Sequence, residues 1–583
     1  MQTQETPQAV PQLQGFEDFV RRTMDDWKVP GLAIAIVKDG DVVFSQGFGK
    51  RDVEHNVEVT PQTIFPIGSA TKAFTTMAIA LLADEGKLDW DIPVKEYLPT
   101  FKLFDQFATE RMTPRDLTCH RSGLPRHDLM WYGSSSTRKE LFDRLQYLEP
   151  SKDFRTVWQY QNLMFMAAGY LVEQVSGQSW EDFVQQRIFK HLGMSSSLFD
   201  TTQAQQTADF SFPYEKKDDE VKQMPFYGEQ WAAGPAGSIV SSIADMSKWV
   251  QLHLKKGKLN DTQFISAGQV ALMHSPQMVI GGISEYDELL ASSYGLGWFV
   301  VPYRGHTLVH HGGNIDGFST LVSFLPAENI GVVVLTNLNG NPLGSILSYN
   351  VYDRLLGLAE VPWSKRNKEV ADTVKAAGEK GKEKTASDRL SDTSPSHALD
   401  AYTGDYEHPG YGSLVIGKDK DGEQLQISFN ALTCPLKHYH YDTFECTIER
   451  FDLSMNITFS ANAKGEIEGV SVPFESTVKA IEFKRVPRKE MMDKAFLKQF
   501  VGQYALVGLP MTVTVAFKGE NALAISIPGQ PSYELVPDKN TEFHMKGLSG
   551  FSIEFMRNES AVVTEALLVQ PGAVFTAQKK DAS

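Results

Sequence analysis

The pattern of apolar residues predicts an α+β fold: an antiparallel sheet flanked by helices, with a helical lobe inserted, followed by all-β meanders closing into barrels. Three observations predict it. Strand-like patterns stand at both ends of a stretch from about Phe16 to Leu358, with helical periodicity between them. A charged segment nearly free of large apolar side chains comes next. After it the chain repeats itself: Gly404, Tyr406, Val415 and Leu425 recur 98 residues later as Gly502, Tyr504, Val513 and Leu523.

In chain order, "GLAIAIVKDGDVVFSQGFG" reads as two strands joined at Asp39-Gly40, a hairpin signal. "NLMFMAAGYLVEQVSG" and "SIADMSKWVQLHLKKG" read as helices that stop at glycine. "TLVSFLPAENIGVVVLTNLNG" reads as a second strand pair, and "LGSILSYNVYDRLLG" as an amphipathic helix. Strands at both ends imply one sheet shared by the two ends of this domain, residues 15–358. Residues 364–397, rich in Lys and Glu, read as a charged linker, partly helical at best. The repeats occupy 398–487 and 494–580, each as short alternating strands. Residues 1–14, polar and rich in Pro and Gln, read as a flexible tail. Such a tail suits a chain whose export signal has been removed, and equally an ordinary cytoplasmic terminus.

A 583-residue chain exceeds one hydrophobic core, and 42% apolar with 22% charged residues is ordinary for folded protein. A net charge of −16 argues against a nucleic-acid partner, because nothing would neutralise a phosphate backbone. No apolar run approaches the length of a membrane span. Cys119, Cys434 and Cys446 are too few and too scattered for a disulfide framework or a zinc site; Cys434 and Cys446 could pair if neighbouring strands brought them together, but two buried thiols are the expectation.

The chemistry begins in "FPIGSATKAFTTMAIALLADEGKL". Ser69 precedes Lys72 by one helical turn, so both lie on one face. A serine hydroxyl is a weak nucleophile and needs a neighbouring base. A lysine serves as that base only when burial or nearby positive charge keeps its amine neutral, and Ile67, Ala73, Phe74 and Met77 are suitably apolar. The bland alternative is a helix cap beside a surface lysine. A second Ser-x-x-Lys, Ser136 to Lys139, looks like a solvated helix start. Two further segments strengthen the first pair. "VWQYQNLMFMAAGYL" sets Tyr160 and Asn162 before an apolar helix: the tyrosine suits a proton relay, the asparagine an orienting contact to Lys72 or a substrate carbonyl. Otherwise they are a packed aromatic and an N-cap. "GHTLVHHGGNIDGFST" ends a strand in His311-Gly312-Gly313, where glycines allow a substrate backbone to approach and the histidine bears charge or hydrogen-bonds the substrate. His306, His310 and His311 lack a carboxylate or cysteine at ligand spacing, so no metal or other cofactor is expected.

Taken in this order the three elements resemble the serine β-lactamase and penicillin-binding-protein superfamily, in its class C-like branch. The resemblance runs from about Gly15 to Gly357 and includes "LTCHRSGLP", "HLGMSSSLF", "GPAGSIVSSIADMSKWV" and "YGLGWFV". It implies that Ser69 is the acylated nucleophile, Lys72 its activator, and Tyr160 the proton shuttle with Asn162 as companion. His311-Gly312-Gly313 matches the family's strand triad, and the oxyanion hole would be the backbone N–H groups of Ser69 and Asn314. His311 replaces a lysine of the class C β-lactamases, which puts efficient β-lactamase action in doubt. The repeats resemble the lipocalin-like β-domain appended to some of these hydrolases; His438 and His440 would share one strand face there.

The implied function is a serine hydrolase forming an acyl-enzyme, foremost a peptidase or amidase on small peptides, D-amino-acid-containing ones included. An esterase or weak β-lactamase is the alternative, and a penicillin- or peptidoglycan-binding sensor without turnover is the reading from another class. The resemblance also implies a small-molecule or peptide partner, leaves open a homo-oligomer through the β-domains, and favours a periplasmic or secreted location over a cytoplasmic one.

Overall fold

A computed structural model describes residues 10–217, 219–228, 232–259, 261–282, 284, 286–538 and 541–580. The chain divides into two units, residues 1–388 with 475–478 and residues 389–474 with 479–583.

In the first unit, nine strands among the described residues form one antiparallel sheet. Its order is Met278–Val279, Ser293–Tyr294, Phe299–Tyr303, His306–Ile315, Phe318–Leu325, Ile330–Thr336, Gly31–Lys38, Asp41–Asp52 and Val57–Glu58. The sheet is shared by the two ends of the domain: Gly31–Lys38 pairs with Ile330–Thr336 in a register that sets Leu32 opposite Thr336. Asp39 and Gly40 both take positive φ, the mirror-image turn that matches the twist of a tight hairpin.

Both faces of the central strands are covered, so they carry apolar residues at every position rather than alternately. Leu32, Ile34 and Ile36 pack with Val332 and Val334 against Phe16 and Val20 of one terminal helix and Ile346, Leu347 and Val351 of the other. The opposite face receives the helix Ile243–Leu254, whose Val250 comes so near Gly331 that a Cβ there would lie 2.2 Å from it. The helix Thr71–Asp84 is buried from Thr71 to Leu82, as befits a helix apolar on all sides.

Of the tail expected over residues 1–14, residues 1–9 lie outside the described residues. Pro11–Leu13 form a 3-10 turn, Leu13 packs on the core, and Arg354 holds the Gln14 carbonyl, so this part is anchored rather than loose. The expected linker is also more regular than its composition suggested. Trp363–Ser387 is one helix of 25 residues, begun by a buried Trp363 and by Arg366, which pairs with Glu288 at 2.9 Å. Scarcity of apolar side chains excludes a core of its own, but Ala, Lys and Glu favour helix.

In the second unit, two closed antiparallel barrels of eight strands each span Gly404–Val486 and Gly502–Lys579. The duplication is visible atom by atom. Tyr406 donates its hydroxyl to the Tyr402 carbonyl at 2.8 Å, and Tyr504 does the same to Phe500 at 2.8 Å. One matched position is corrected: Tyr406 faces Leu414 across the first hairpin, whereas Tyr504 faces Val513. Val513 therefore corresponds to Leu414, not to the exposed Val415. The second copy has one more residue in that hairpin and one fewer in the next, which restores the match at Leu425 and Leu523. Cys434 and Cys446 are buried free thiols on neighbouring strands, as is Cys119 in the first unit. A bulge between His438 and His440 breaks their alternation, and His438 hydrogen-bonds the Tyr441 carbonyl at 3.0 Å.

Beneath the sheet His253 and His274 meet ring to ring, Nδ1 to Nε2 at 3.0 Å, among Trp249, Trp298 and Phe324. Burial holds both well below the usual 6.5, His274 at about 3. The unfolded chain then binds more protons than the folded one as pH falls below 6.5. Stability is full above that pH and is lost progressively toward 3, by at most about 1.4 kcal/mol per pH unit for each histidine. Thermal melts followed by near-UV circular dichroism will show a falling midpoint from about pH 6.5 downward; a midpoint that does not move between about pH 7 and about pH 5 contradicts this account.

Candidate active site

Ser69 sits in the 3-10 turn Gly68–Ala70 that leads into the helix Thr71–Asp84. No side chain caps that helix, so the cap reading of Ser69 does not hold. Lys72 is fully buried, and its Nζ has three oxygen neighbours: Ser69 Oγ at 3.0 Å, Asn162 Oδ1 at 2.8 Å and the Ala236 carbonyl at 2.7 Å. Burial drives its pKa well below 10.5; the charge of Arg126 adds to this and that of Asp128 opposes it. A neutral amine has two N–H bonds and one lone pair. In that form the two carbonyl oxygens would accept the two N–H bonds and leave the lone pair toward Ser69 Oγ.

Tyr160 comes from the segment before the helix Asn162–Ser176, and its ring lies 4.8 Å from Lys72 Nζ. Desolvation raises its pKa, while interaction with Ser69 and with Arg126 acts to lower it. The cap of this helix is Gln161, whose side chain accepts from Leu163 N, and Asn162 is thereby free to turn inward to Lys72. The other Ser-x-x-Lys is a solvated helix start: Thr137 and Glu140 form a capping box, and Lys139 pairs with Asp143 at 2.5 Å.

The strand His306–Ile315 borders the serine turn, and here two expectations change. Gly313 is required by the protein's own packing rather than by substrate approach: a Cβ there would lie 1.9 Å from the Ile67 carbonyl oxygen. Gly312 meets only ordinary contacts. His311 is not placed to bear charge. It is 1% exposed, and burial pushes its pKa down to about 3. Its Nδ1–H donates to the Gly312 carbonyl at 2.6 Å, so the bare Nε2 accepts from the Tyr294 hydroxyl at 2.9 Å. Both ring nitrogens are thus occupied within the protein. Nearby, His306 pairs with Glu328 at 2.6 Å and His310 stacks on Phe299. Asn314 is exposed at the strand's end, and its backbone nitrogen would lie 2.9 Å from a Cβ on Gly68, so the Ser69 turn and the Asn314 amide are neighbours.

Several neighbours had no signal in the sequence. Ala236 contributes only a backbone carbonyl. His120 accepts the Gln161 N–H at 3.0 Å and packs on Tyr160 with ring centroids 4.3 Å apart. Asp128 holds Asn162, and Arg126 lies over the Tyr160 ring at 5.1 Å.

A β-lactamase family model matches residues 16–354, more than half of the chain. The chain belongs to the β-lactamase family. A second model, described as a domain of unknown function (DUF3471), matches 388–485, the first barrel. An unguisins hydrolase of Aspergillus campestris (strain IBT 28561) is 30% identical over 448 residues, 73% of this chain and 81% of the relative. Protein flp of Staphylococcus aureus (strain COL) is 28% identical over 346 residues, 58% and 65% of the two chains. Among solved structures, the octameric penicillin-binding protein homologue from Pyrococcus abyssi is 25% identical, with a TM-score of 0.53 over 81% of this chain and all of that one. The family, its hydrolase relatives and the fold make this chain a hydrolase of the serine β-lactamase and penicillin-binding-protein superfamily. No helix among the described residues is long and apolar enough to cross a membrane.

The two glycines will separate on substitution. Gly313→Ala forces the strand off the Ser69 turn and costs about 1–3 kcal/mol, whereas Gly312→Ala leaves stability within about 1 kcal/mol. Urea denaturation of both variants checks this, and equal losses would contradict it.

Proposed function

We propose that this family member hydrolyses amide bonds of small peptides through an acyl-enzyme on Ser69. The observation that carries the reading is the Lys72 amine, whose two N–H bonds have carbonyl acceptors while its remaining valence meets Ser69 Oγ. Ser69 Oγ attacks the substrate carbonyl as its proton passes to Lys72. The backbone N–H groups of Ser69 and Asn314 receive the oxyanion. Tyr160, whose ring lies 4.8 Å from Lys72 Nζ, delivers a proton to the leaving nitrogen, the C–N bond breaks, and an ester on Ser69 remains. Water then attacks that ester, losing its proton to the same groups, and the acid product leaves with Ser69 restored.

The preference for peptides rests on the strand. The neighbouring strand Phe299–Tyr303 pairs only as far as His310, so among the described residues no strand pairs with 311–315 on that side. An extended peptide can add there by backbone hydrogen bonds. The neutral His311 offers no charge for the carboxylate of a penicillin, which supports ranking β-lactamase action below amide and ester hydrolysis. That one relative bears the name of a hydrolase of unguisins agrees with a hydrolytic role.

A panel of D- and L-peptides, short esters and a chromogenic cephalosporin, assayed with the purified chain, tests the substrate order. Ser69→Ala will lower turnover by a factor on the order of a thousand or more without changing the melting temperature. Tyr160→Phe will lower kcat roughly 100-fold or more with little change in KM; a rise in KM alone would make Tyr160 a substrate contact. A fluorophosphonate label on Ser69 that never turns over, with no product from any member of the panel, would favour the sensor reading instead.

A further inference from the structure

The amide of Asn162 can face Lys72 with its oxygen or with its nitrogen, and the chemistry of Ser69 depends on which. With Oδ1 toward Lys72, the asparagine accepts an N–H bond of the amine. With the amide turned over, two N–H groups would face Nζ and draw the lone pair away from the Ser69 hydroxyl. Nothing in Asn162 itself decides between them.

Asp128 does. A carboxylate accepts and cannot donate, and Asp128 Oδ1 lies 3.0 Å from Asn162 Nδ2. Turning the amide would set an oxygen against that carboxylate. Asp128 is itself held, by Trp131 Nε1 at 2.9 Å on the same oxygen and by Arg126 Nε at 2.5 Å on the other. We propose that Asp128 is a positioning residue of the hydrolytic site: it fixes the Asn162 amide so that the lone pair of Lys72 meets Ser69. This rests on the acyl-enzyme reading of Ser69 and deepens it.

The ion pair has a second consequence, because it sits within electrostatic reach of the base. The ionisable groups around Lys72 are Arg126 and, at the start of the short helix Asp128–Trp131, Asp128, with His120 and Tyr160 from neighbouring segments and His311 from the strand. Both histidines are held neutral by burial. The charges that remain are the opposed pair, Arg126 favouring the neutral amine and Asp128 the ammonium. Removing the carboxylate charge therefore favours the neutral amine, directly and by leaving Arg126 uncompensated.

The test uses the full chain and its best amide or ester substrate. Fluorophosphonate labelling of the unmodified protein comes first, since a chain that takes no label at Ser69 overturns the acyl-enzyme reading and this proposal together. Given labelling, Asp128→Ala will lower kcat/KM roughly 10- to 100-fold, and will add no further loss in an Asn162→Ala background. Asp128→Asn retains an acceptor oxygen without the charge. It will lose less activity and move the acid limb of the kcat/KM profile to lower pH, with melting temperatures recorded for every variant. Losses that add independently in the double variant, or an acid limb that stays in place in a folded Asp128→Asn, overturn the assignment of Asp128 while leaving that of Ser69 intact.

Discussion

A buried amine with an unshared pair is the constraint around which the first unit is arranged. Lysine is expensive to enclose as a cation, so complete burial of Lys72 favours the uncharged form. An uncharged amine still needs acceptors for its two N–H bonds, because unpaired polar groups inside a protein are costly. The Ala236 carbonyl and Asn162 meet that need from two separate segments. What remains is one lone pair and one hydroxyl at hydrogen-bond distance.

That requirement explains the rest of the architecture. The segment carrying Ala236 is held on the helix by Thr75, which donates to the Pro235 carbonyl at 2.7 Å, and by Thr71, which accepts the Ile239 N–H at 3.1 Å. The strand with Asn314 is held against the serine turn by Thr320, which donates to the Ile67 carbonyl at 2.9 Å, and only glycine fits at position 313 between them. The sheet shared by both ends of the domain keeps that strand in place, since its neighbour Phe318–Leu325 pairs from Ser319 to Leu325 with Ile330–Thr336, which pairs in turn with Gly31–Lys38. A rigid frame is what a base and a nucleophile at fixed separation need.

His311 illustrates how enclosure decides what a histidine at a strand edge can do. His311 is enclosed with Tyr294 and Gly312 and carries no charge near neutral pH, so it supports the strand and the aromatic wall behind Tyr160. The barrels carry a different lesson. Their tyrosines repeat the same bond to a carbonyl four residues earlier, yet a residue gained in one hairpin and lost in the next shifts the correspondence between them. Strand register tolerates such compensated changes when the inward face stays apolar.

Much of this was legible in the amino-acid order. The hairpin at Asp39-Gly40, the helices ending at glycine, the paired repeats and the placing of Ser69 and Lys72 on one helix face follow from local patterns, whereas the joining of Tyr160 and Asn162 to that pair is implied only by the family resemblance. Periodicity, turn chemistry and motif spacing act over a few residues and leave their mark in the order itself. The long helix from Trp363 was misjudged because low apolar content speaks to burial, not to backbone conformation. What only the tertiary structure decided was which side chains face inward with which partners: that His311 is sealed off, that Gly313 yields to the Ile67 carbonyl, and that Asp128 stands behind Asn162. These are contacts between segments far apart along the chain, and no spacing within any one segment encodes the distance across them.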